Sequence, residues 1–112
     1  MSRSPKEYLQ HILEEGSFII ENSQGMDKSS FLRDERSKRA FVRSLEIIGE
    51  ASKKLPDDFR QSNPQISWRK MAGMRDKLIH EYFGVDYDVV WDVVINEIPR
   101  LSSDVAAIVR TL

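Results

Sequence analysis

The sequence predicts an all-α protein, an antiparallel bundle of four or five helices. Apolar residues recur at helical spacing along most of the 112 residues, and no segment alternates strictly enough to form a strand. Hydrophobic residues make up 40% of the chain and charged residues 31%, a balance typical of a folded protein. The length fits one domain, residues 1–112, and is too short for two.

Caps and stop signals define the first two helices. Ser4-Pro5-Lys6-Glu7 is a capping box with proline at the first helical position, so a helix begins there, and residues 22–25 end it. A second helix is predicted from about Ser30 to Leu55, where Pro56 closes it. Its inward stripe consists of Phe41, Leu45, Ile48 and Leu55.

The C-terminal half is predicted to hold a third helix and a long final stretch. A connection with one short turn leads to Ser67, which caps a helix that runs through Tyr82. Asp86 or Asp88 begins the last stretch, whose valine-rich start lacks the alternation of a strand. Because Pro99 has no backbone N–H, we expect it to kink this stretch or to divide it into two helices.

Composition narrows the classes of protein. There is no cysteine, so disulfides and thiolate chemistry are excluded, and a reducing compartment is suitable. The N-terminus lacks a secretion signal and no apolar run reaches membrane-spanning length, so we expect a cytoplasmic protein with no membrane contact. We expect Trp68 and Trp91 to anchor the core or a dimer contact.

Charge is unevenly distributed, although the net charge of −1 argues against a large nucleic-acid footprint. Basic residues are concentrated between Lys28 and Arg43. This run is either an ordinary solvated helix face or a stripe that follows a phosphate backbone or an acidic partner. Arg39 and Arg43 lie one turn apart on one face, which makes them the candidates for RNA contact.

Most motifs that carry chemistry are absent. The sequence has no Walker loop, no dinucleotide fingerprint and no cysteine–histidine metal spacing. Its two histidines, His11 and His80, are far apart and no carboxylates cluster near them, so we expect neither a metal nor a cofactor. We expect His11 to be structural or exposed.

The segment from Arg75 to Tyr82 remains as a candidate site. In an ideal helix these two residues lie on nearly the same side, whereas His80 lies about 140° round the axis from Arg75. One helix therefore does not present arginine and histidine side by side. Two copies crossing at a dyad would place both pairs around one cleft.

Such a cleft suits RNA cleavage by internal transesterification. Histidine exchanges protons near neutral pH, and a guanidinium stabilises the extra negative charge of the phosphorane. Other interpretations remain open: His80 and Glu81 as an ordinary polar pair at a helix end, Arg75 in a salt bridge, and Tyr82 in the core.

Arg75-x4-His80-x-Tyr82 resembles the signature of the HepT-like subgroup of HEPN ribonucleases. The flanking segments resemble that family in the same order along the chain. They are residues 47–51 with 53–55, residues 66–68 followed by 71–75, residues 81–83, and the region of residues 90–91.

This resemblance implies a helical HEPN fold and a homodimeric, metal-independent endoribonuclease whose site is built from Arg75 and His80 of both subunits. Asp76 fills the polar position after the arginine. The resemblance also implies the toxin of a type VII-like toxin–antitoxin system, with an MntA-like nucleotidyltransferase antitoxin that transfers AMP to Tyr82. An anionic adduct there would crowd the cleft and repel RNA phosphates.

Two other functions compete with the ribonuclease. One is a non-catalytic helical module that binds a nucleotidyltransferase and helps to position its substrate, and the modest net charge favours it. The presence of Arg75, His80 and Tyr82 together favours the enzyme, because a binding module has no chemical need for that set. A third, a bundle that binds a small molecule, has no specific residues to support it.

Overall fold

The computed structural model describes residues 4–80 and 84–112, with residues 79 and 80 described by their backbone alone. Within these residues the chain forms eight helices and one pair of two-residue strands, which confirms the all-α fold. The elements are α1 (Pro5–Ser23), α2 (Lys28–Arg33), α3 (Glu35–Lys54), α4 (Asp57–Ser62), α5 (Trp68–Ala72), α6 (Met74–Leu78), β1 (Ile79–His80), β2 (Gly84–Val85), α7 (Tyr87–Asn96) and α8 (Ile98–Arg110).

The N-terminal helix lies between the two other long helices. As predicted, Ser4 caps α1, since its hydroxyl accepts a hydrogen bond from the Glu7 backbone N–H at 3.4 Å. α1 packs against α3 on one side and α8 on the other. Gly16 permits a close approach to α8, because a Cβ at this position would collide with the Ser102 hydroxyl.

The predicted second helix is two helices, and Asp34 separates them. Its backbone N–H bonds to the Phe31 carbonyl at the end of α2, and its carboxylate accepts from the Ser37 N–H at the start of α3. The hydrogen bond from the Ser37 backbone holds the pKa of Asp34 below its ordinary value. The continuous helix predicted from Ser30 to Leu55 was wrong here, because an aspartate cap competes with helix continuation.

The final stretch divides as predicted. Asp86 begins α7 by accepting a hydrogen bond from the Val89 N–H at 3.2 Å. α7 ends at Asn96, and α8 begins at Ile98 with Pro99 in its first turn, where no intrahelical N–H is needed. Glu97 therefore lies at the junction of the two helices.

The core is one cluster of buried apolar residues that joins the helices. All four residues of the stripe predicted for the second helix are buried, three on α3 and Leu55 directly after it. Phe31 of α2 stacks on Phe41 and on Trp91, with ring centroids 5.7 Å and 5.1 Å apart, so Trp91 contacts the core while remaining half-buried. Trp68 is buried and donates its indole N–H to the Asn63 carbonyl.

In the part of the chain that the structure describes, no helix combines the length and apolar character needed to cross a membrane.

Candidate functional site

The segment that carries the candidate site is less helical than the sequence predicts. Gly73 separates α5 from α6, and α6 ends at Leu78 instead of continuing through Tyr82. Ile79 and His80 pair in antiparallel fashion with Val85 and Gly84. The single helix predicted from Ser67 was therefore wrong at Gly73 and beyond Leu78, while Tyr82 lies outside the described residues.

Two local features explain why the helix ends early. The backbone N–H of Asp86 donates to the Leu78 carbonyl at 2.8 Å, so the returning chain takes an acceptor at the helix end. Gly84 has a φ of 72°, a conformation that glycine adopts without strain and other residues rarely do. A hydrogen bond from Asp86, which follows later in the chain and folds back, thus replaces the last helical turn. The spacing of apolar residues in the sequence does not predict such a bond.

This change removes the angular constraint between Arg75 and His80. Arg75 lies in the final turn of α6, whereas His80 lies in β1, beyond the helix. The separation of about 140° that holds in an ideal helix therefore does not apply to this pair. The structure describes the backbone of His80, and the placement of its side chain remains a prediction.

Arg75 projects largely into solvent and touches α3. Its side chain is 60% exposed, and Nε lies 3.8 Å from Oε2 of Glu46. This long, partly exposed ion pair contributes little to stability, but it places a carboxylate at the Nε edge of the guanidinium. Arg75 therefore does form a salt bridge, as one sequence interpretation allowed. Within the described part of the chain no carboxylate pairs with the opposite edge of its planar fork, which has the geometry to bind an anion through two hydrogen bonds.

Glu46 is a site residue that the sequence analysis missed. It follows Leu45 of the buried stripe, so it lies at the border between the core and the surface of α3. The detectable signal was a carboxylate at such a border position, since charged residues there are kept near a partner. The partner itself comes from α6 and is visible only in the folded chain.

Three further predicted site residues, Asp76, Arg39 and Arg43, are exposed on the surface. Asp76 is exposed beside Arg75. Arg39 and Arg43 lie on α3, and Nε of Arg39 is 3.9 Å from Oε2 of Glu35. Residues three or four apart share a helix face, so Arg43 is a surface neighbour of Glu46. Arg39 and Arg43 therefore form a basic row along α3 that leads towards Glu46, the carboxylate that Arg75 contacts.

A shallow groove runs beside this row between α1 and α3. It is lined by Arg43 together with His11, which is exposed as expected. Glu50 and Lys54 border it on the next turns of α3. Among the residues the structure describes, no group of three or more His, Cys, Asp or Glu side chains is arranged to hold a metal ion.

Gly49 sets the distance between α3 and the α5–α6 segment. A Cβ there would lie 3.1 Å from the Met71 carbonyl oxygen and 3.8 Å from Met74 Cβ. We predict that Gly49→Val lowers the free energy of unfolding by about 1–3 kcal/mol, because backbone atoms must shift to admit the side chain. Urea unfolding would measure it. Ala107→Val, on the exposed face of α8, is the control and should lower the free energy of unfolding by only a few tenths of a kcal/mol. Equal losses of stability in the two variants would contradict the prediction.

Similarity to known proteins is a second source of information about this site. Residues 8–108, a range that includes Arg75, His80 and Tyr82, match the family described as "Ribonuclease HepT-like". The chain belongs to this family.

Related proteins share almost its whole length. A protein of Caldanaerobacter subterraneus subsp. tengcongensis named "Putative RNase" is 50% identical over 108 residues, 96% of each chain. "Probable ribonuclease HepT" of Thermococcus cleftensis is 50% identical over 90% of this chain and 92% of its own. A "Putative RNase" of Methanocaldococcus jannaschii is 44% identical over 94% and 87%, respectively. No solved structure matches the chain significantly. The resemblance of the Arg75–Tyr82 segment to HepT-like ribonucleases is thereby confirmed at the level of the family.

Proposed function

We propose that this HepT-like chain is a metal-independent endoribonuclease, the toxin of a toxin–antitoxin pair, acting as a homodimer. The observation that carries the proposal is the largely exposed guanidinium of Arg75, whose Nε edge faces Glu46 and which, among residues 4–80 and 84–112, pairs with no other carboxylate, so that it can meet a phosphate. This arginine precedes His80 by five residues, inside the range that matches the ribonuclease family.

The proposed reaction is transesterification within the RNA chain. One His80 takes the proton of the ribose 2′-OH as its oxygen attacks the adjacent phosphorus. The bond from phosphorus to the 5′-oxygen then breaks, and the His80 of the second subunit protonates that oxygen. Arg75 binds the equatorial oxygens, whose negative charge increases in the phosphorane. The products are a 2′,3′-cyclic phosphate and a 5′-hydroxyl, so no water or metal enters the step.

A homodimer supplies the second proton donor or acceptor. An isologous interface presents each residue twice across a dyad, which brings two copies of Arg75 and His80 to one cleft. A domain of this size buries only about two-thirds of the surface of its unfolded chain, so surface remains for a second copy to cover. On α3, Arg39 and Arg43 would guide the RNA backbone towards this cleft.

Incubation with total cellular RNA in EDTA tests the proposal. We predict cleavage that persists in EDTA, products that end in 2′,3′-cyclic phosphate, and a dimer by light scattering at micromolar concentration. Loss of cleavage in EDTA with recovery on added metal would contradict the proposed chemistry. No cleavage of any tRNA or mRNA would favour the non-catalytic module that binds a nucleotidyltransferase.

The antitoxin of the proposed pair is an MntA-like nucleotidyltransferase that transfers AMP to Tyr82. This tyrosine is two residues from His80 in sequence, so a bulky phosphate ester there would reduce access to the cleft and repel RNA. We predict that incubation with the partner and ATP adds the mass of AMP to the wild-type chain and not to Tyr82→Phe. Tyr87→Phe, near by in sequence, is the control and should still gain it; inhibition without any mass change would indicate masking instead.

A further inference from the structure

A second charged contact holds α6 from the side opposite Arg75. Glu97, at the junction of α7 and α8, has a side chain that is only 17% exposed. Its Oε1 forms an ion pair with Lys70 Nζ of α5, and its Oε2 lies 3.8 Å from Lys77 Nζ of α6. Glu97 Oε2 is buried and accepts no hydrogen bond within the described residues, so the lysine ammonium groups compensate its charge.

Arg75 and Lys77 leave α6 in nearly opposite directions. They are two residues apart, which corresponds to about 200° round a helix axis. Arg75 contacts Glu46 on α3, whereas Lys77 contacts Glu97 at the α7–α8 junction. Rotation of α6 about its axis would displace both attachments, so the two pairs together restrain the direction of the helix face that bears Arg75.

The helix depends on such contacts because it is short. α6 has five residues, and a helix of this length is not stable without tertiary packing. Met74 and Leu78 are buried and hold it against the core, but Gly73 separates it from α5. Since the Lys70 contact reaches only α5, the Lys77 contact is the one that connects Glu97 to the helix bearing Arg75.

We propose that Glu97 is a positioning residue of the ribonuclease site: through Lys77 it fixes the rotation of α6 and thereby the direction of the Arg75 guanidinium. This inference rests on the proposed function for its effect on catalysis. Its structural part, the ordering of Arg75 by Glu97, can be measured on the protein without RNA.

The experiment compares Glu97→Gln, Lys77→Gln and a matched control, Asp57→Asn, which breaks an exposed ion pair with Arg60 within α4. The first readout is the ¹⁵N heteronuclear NOE of the Arg75 side-chain Nε–Hε group, which reports how rigidly the guanidinium is held. The second is single-turnover and steady-state cleavage of RNA, measured well below the melting temperature of every variant. Two double variants complete the set. One combines Glu97→Gln with Lys77→Gln, and the other combines Glu97→Gln with Arg75→Lys.

We expect Glu97→Gln and Lys77→Gln each to lower the Arg75 NOE and to reduce kcat about tenfold, since small misplacements of a catalytic group are costly. KM should stay within about twofold, because uniform binding of RNA is retained. The Glu97→Gln/Lys77→Gln variant should have a kcat no lower than that of the more severe single variant. Glu97→Gln should have little further effect beside Arg75→Lys, whereas Asp57→Asn should change neither readout.

Two results would overturn the inference. An unchanged Arg75 NOE in Glu97→Gln would show that the carboxylate does not order the guanidinium. An undiminished effect of Glu97→Gln beside Arg75→Lys would show that it acts on activity by another route. If the wild-type protein cleaves no RNA, the proposed function fails, and the NOE alone then decides whether Glu97 orders Arg75.

Discussion

Arg75→Ala is expected to lower kcat for RNA cleavage about 10²–10³-fold, the loss seen when a group that stabilises an oxyanion is removed. His80→Ala is expected to lower it about 10²–10⁴-fold through loss of proton transfer. Because both groups are proposed to act in one transition state, the loss of activity in the Arg75→Ala/His80→Ala double variant should be much smaller than the product of the two single losses. In the proposed dimer, each substitution would remove two copies of the group from the cleft.

The measurement is cleavage of total RNA in EDTA by the variants at equal protein concentration. Arg69→Ala is the control, because Arg69 is also an exposed arginine and lies on the neighbouring α5. It removes the same charge from the same region, so general electrostatic attraction of RNA would affect both variants alike. A loss for Arg69→Ala equal to that for Arg75→Ala would argue against a specific role for Arg75. Cleavage that survives both Arg75→Ala and His80→Ala would place the activity elsewhere.

The sequence predicted the features of the fold that depend on local signals. Ser4 and Asp86 cap helices because their side-chain oxygens satisfy N–H groups a few residues away. Pro99 lies at a helix start because it lacks an N–H of its own. The buried stripe on α3 followed from helical spacing alone. Each of these depends on residues within one or two turns of each other.

The missed features depend on residues that are distant in sequence. α6 ends at Leu78 because the N–H of Asp86 returns to it, and the close packing under Gly49 requires α5 and α6 to be in place. Glu46 and Glu97 contact Arg75 and Lys77 across helix boundaries, and no spacing rule within a single helix reveals such pairs. The sequence therefore indicated Arg75 as a candidate catalytic residue, but it did not indicate the carboxylates that contact Arg75 and Lys77 in the folded chain.

Phe31→Ala is expected to lower the free energy of unfolding by about 3–5 kcal/mol, as truncation of a fully buried phenylalanine usually does. Phe31 is the only residue of the six-residue α2 that is fully buried. Its ring contacts Phe41 of α3 and Trp91 of α7, and it forms a T-shaped pair with Tyr87, with ring centroids 6.4 Å apart. One side chain thus joins three helices, α2, α3 and α7.

Far-UV circular dichroism in urea is the suitable measurement, because Trp91 stacks on Phe31 and its fluorescence would change for local reasons. Protomer concentration must be equal, since association of a dimer adds to apparent stability. Phe18→Ala is the control: Phe18 is 40% exposed and makes one edge contact with Phe41, so its loss should cost about 1 kcal/mol. Equal costs for the two variants would contradict the anchoring role of Phe31. A reduced slope with urea for Phe31→Ala would mean that α2 separates before the rest unfolds, because the surface then exposed in the main transition is smaller.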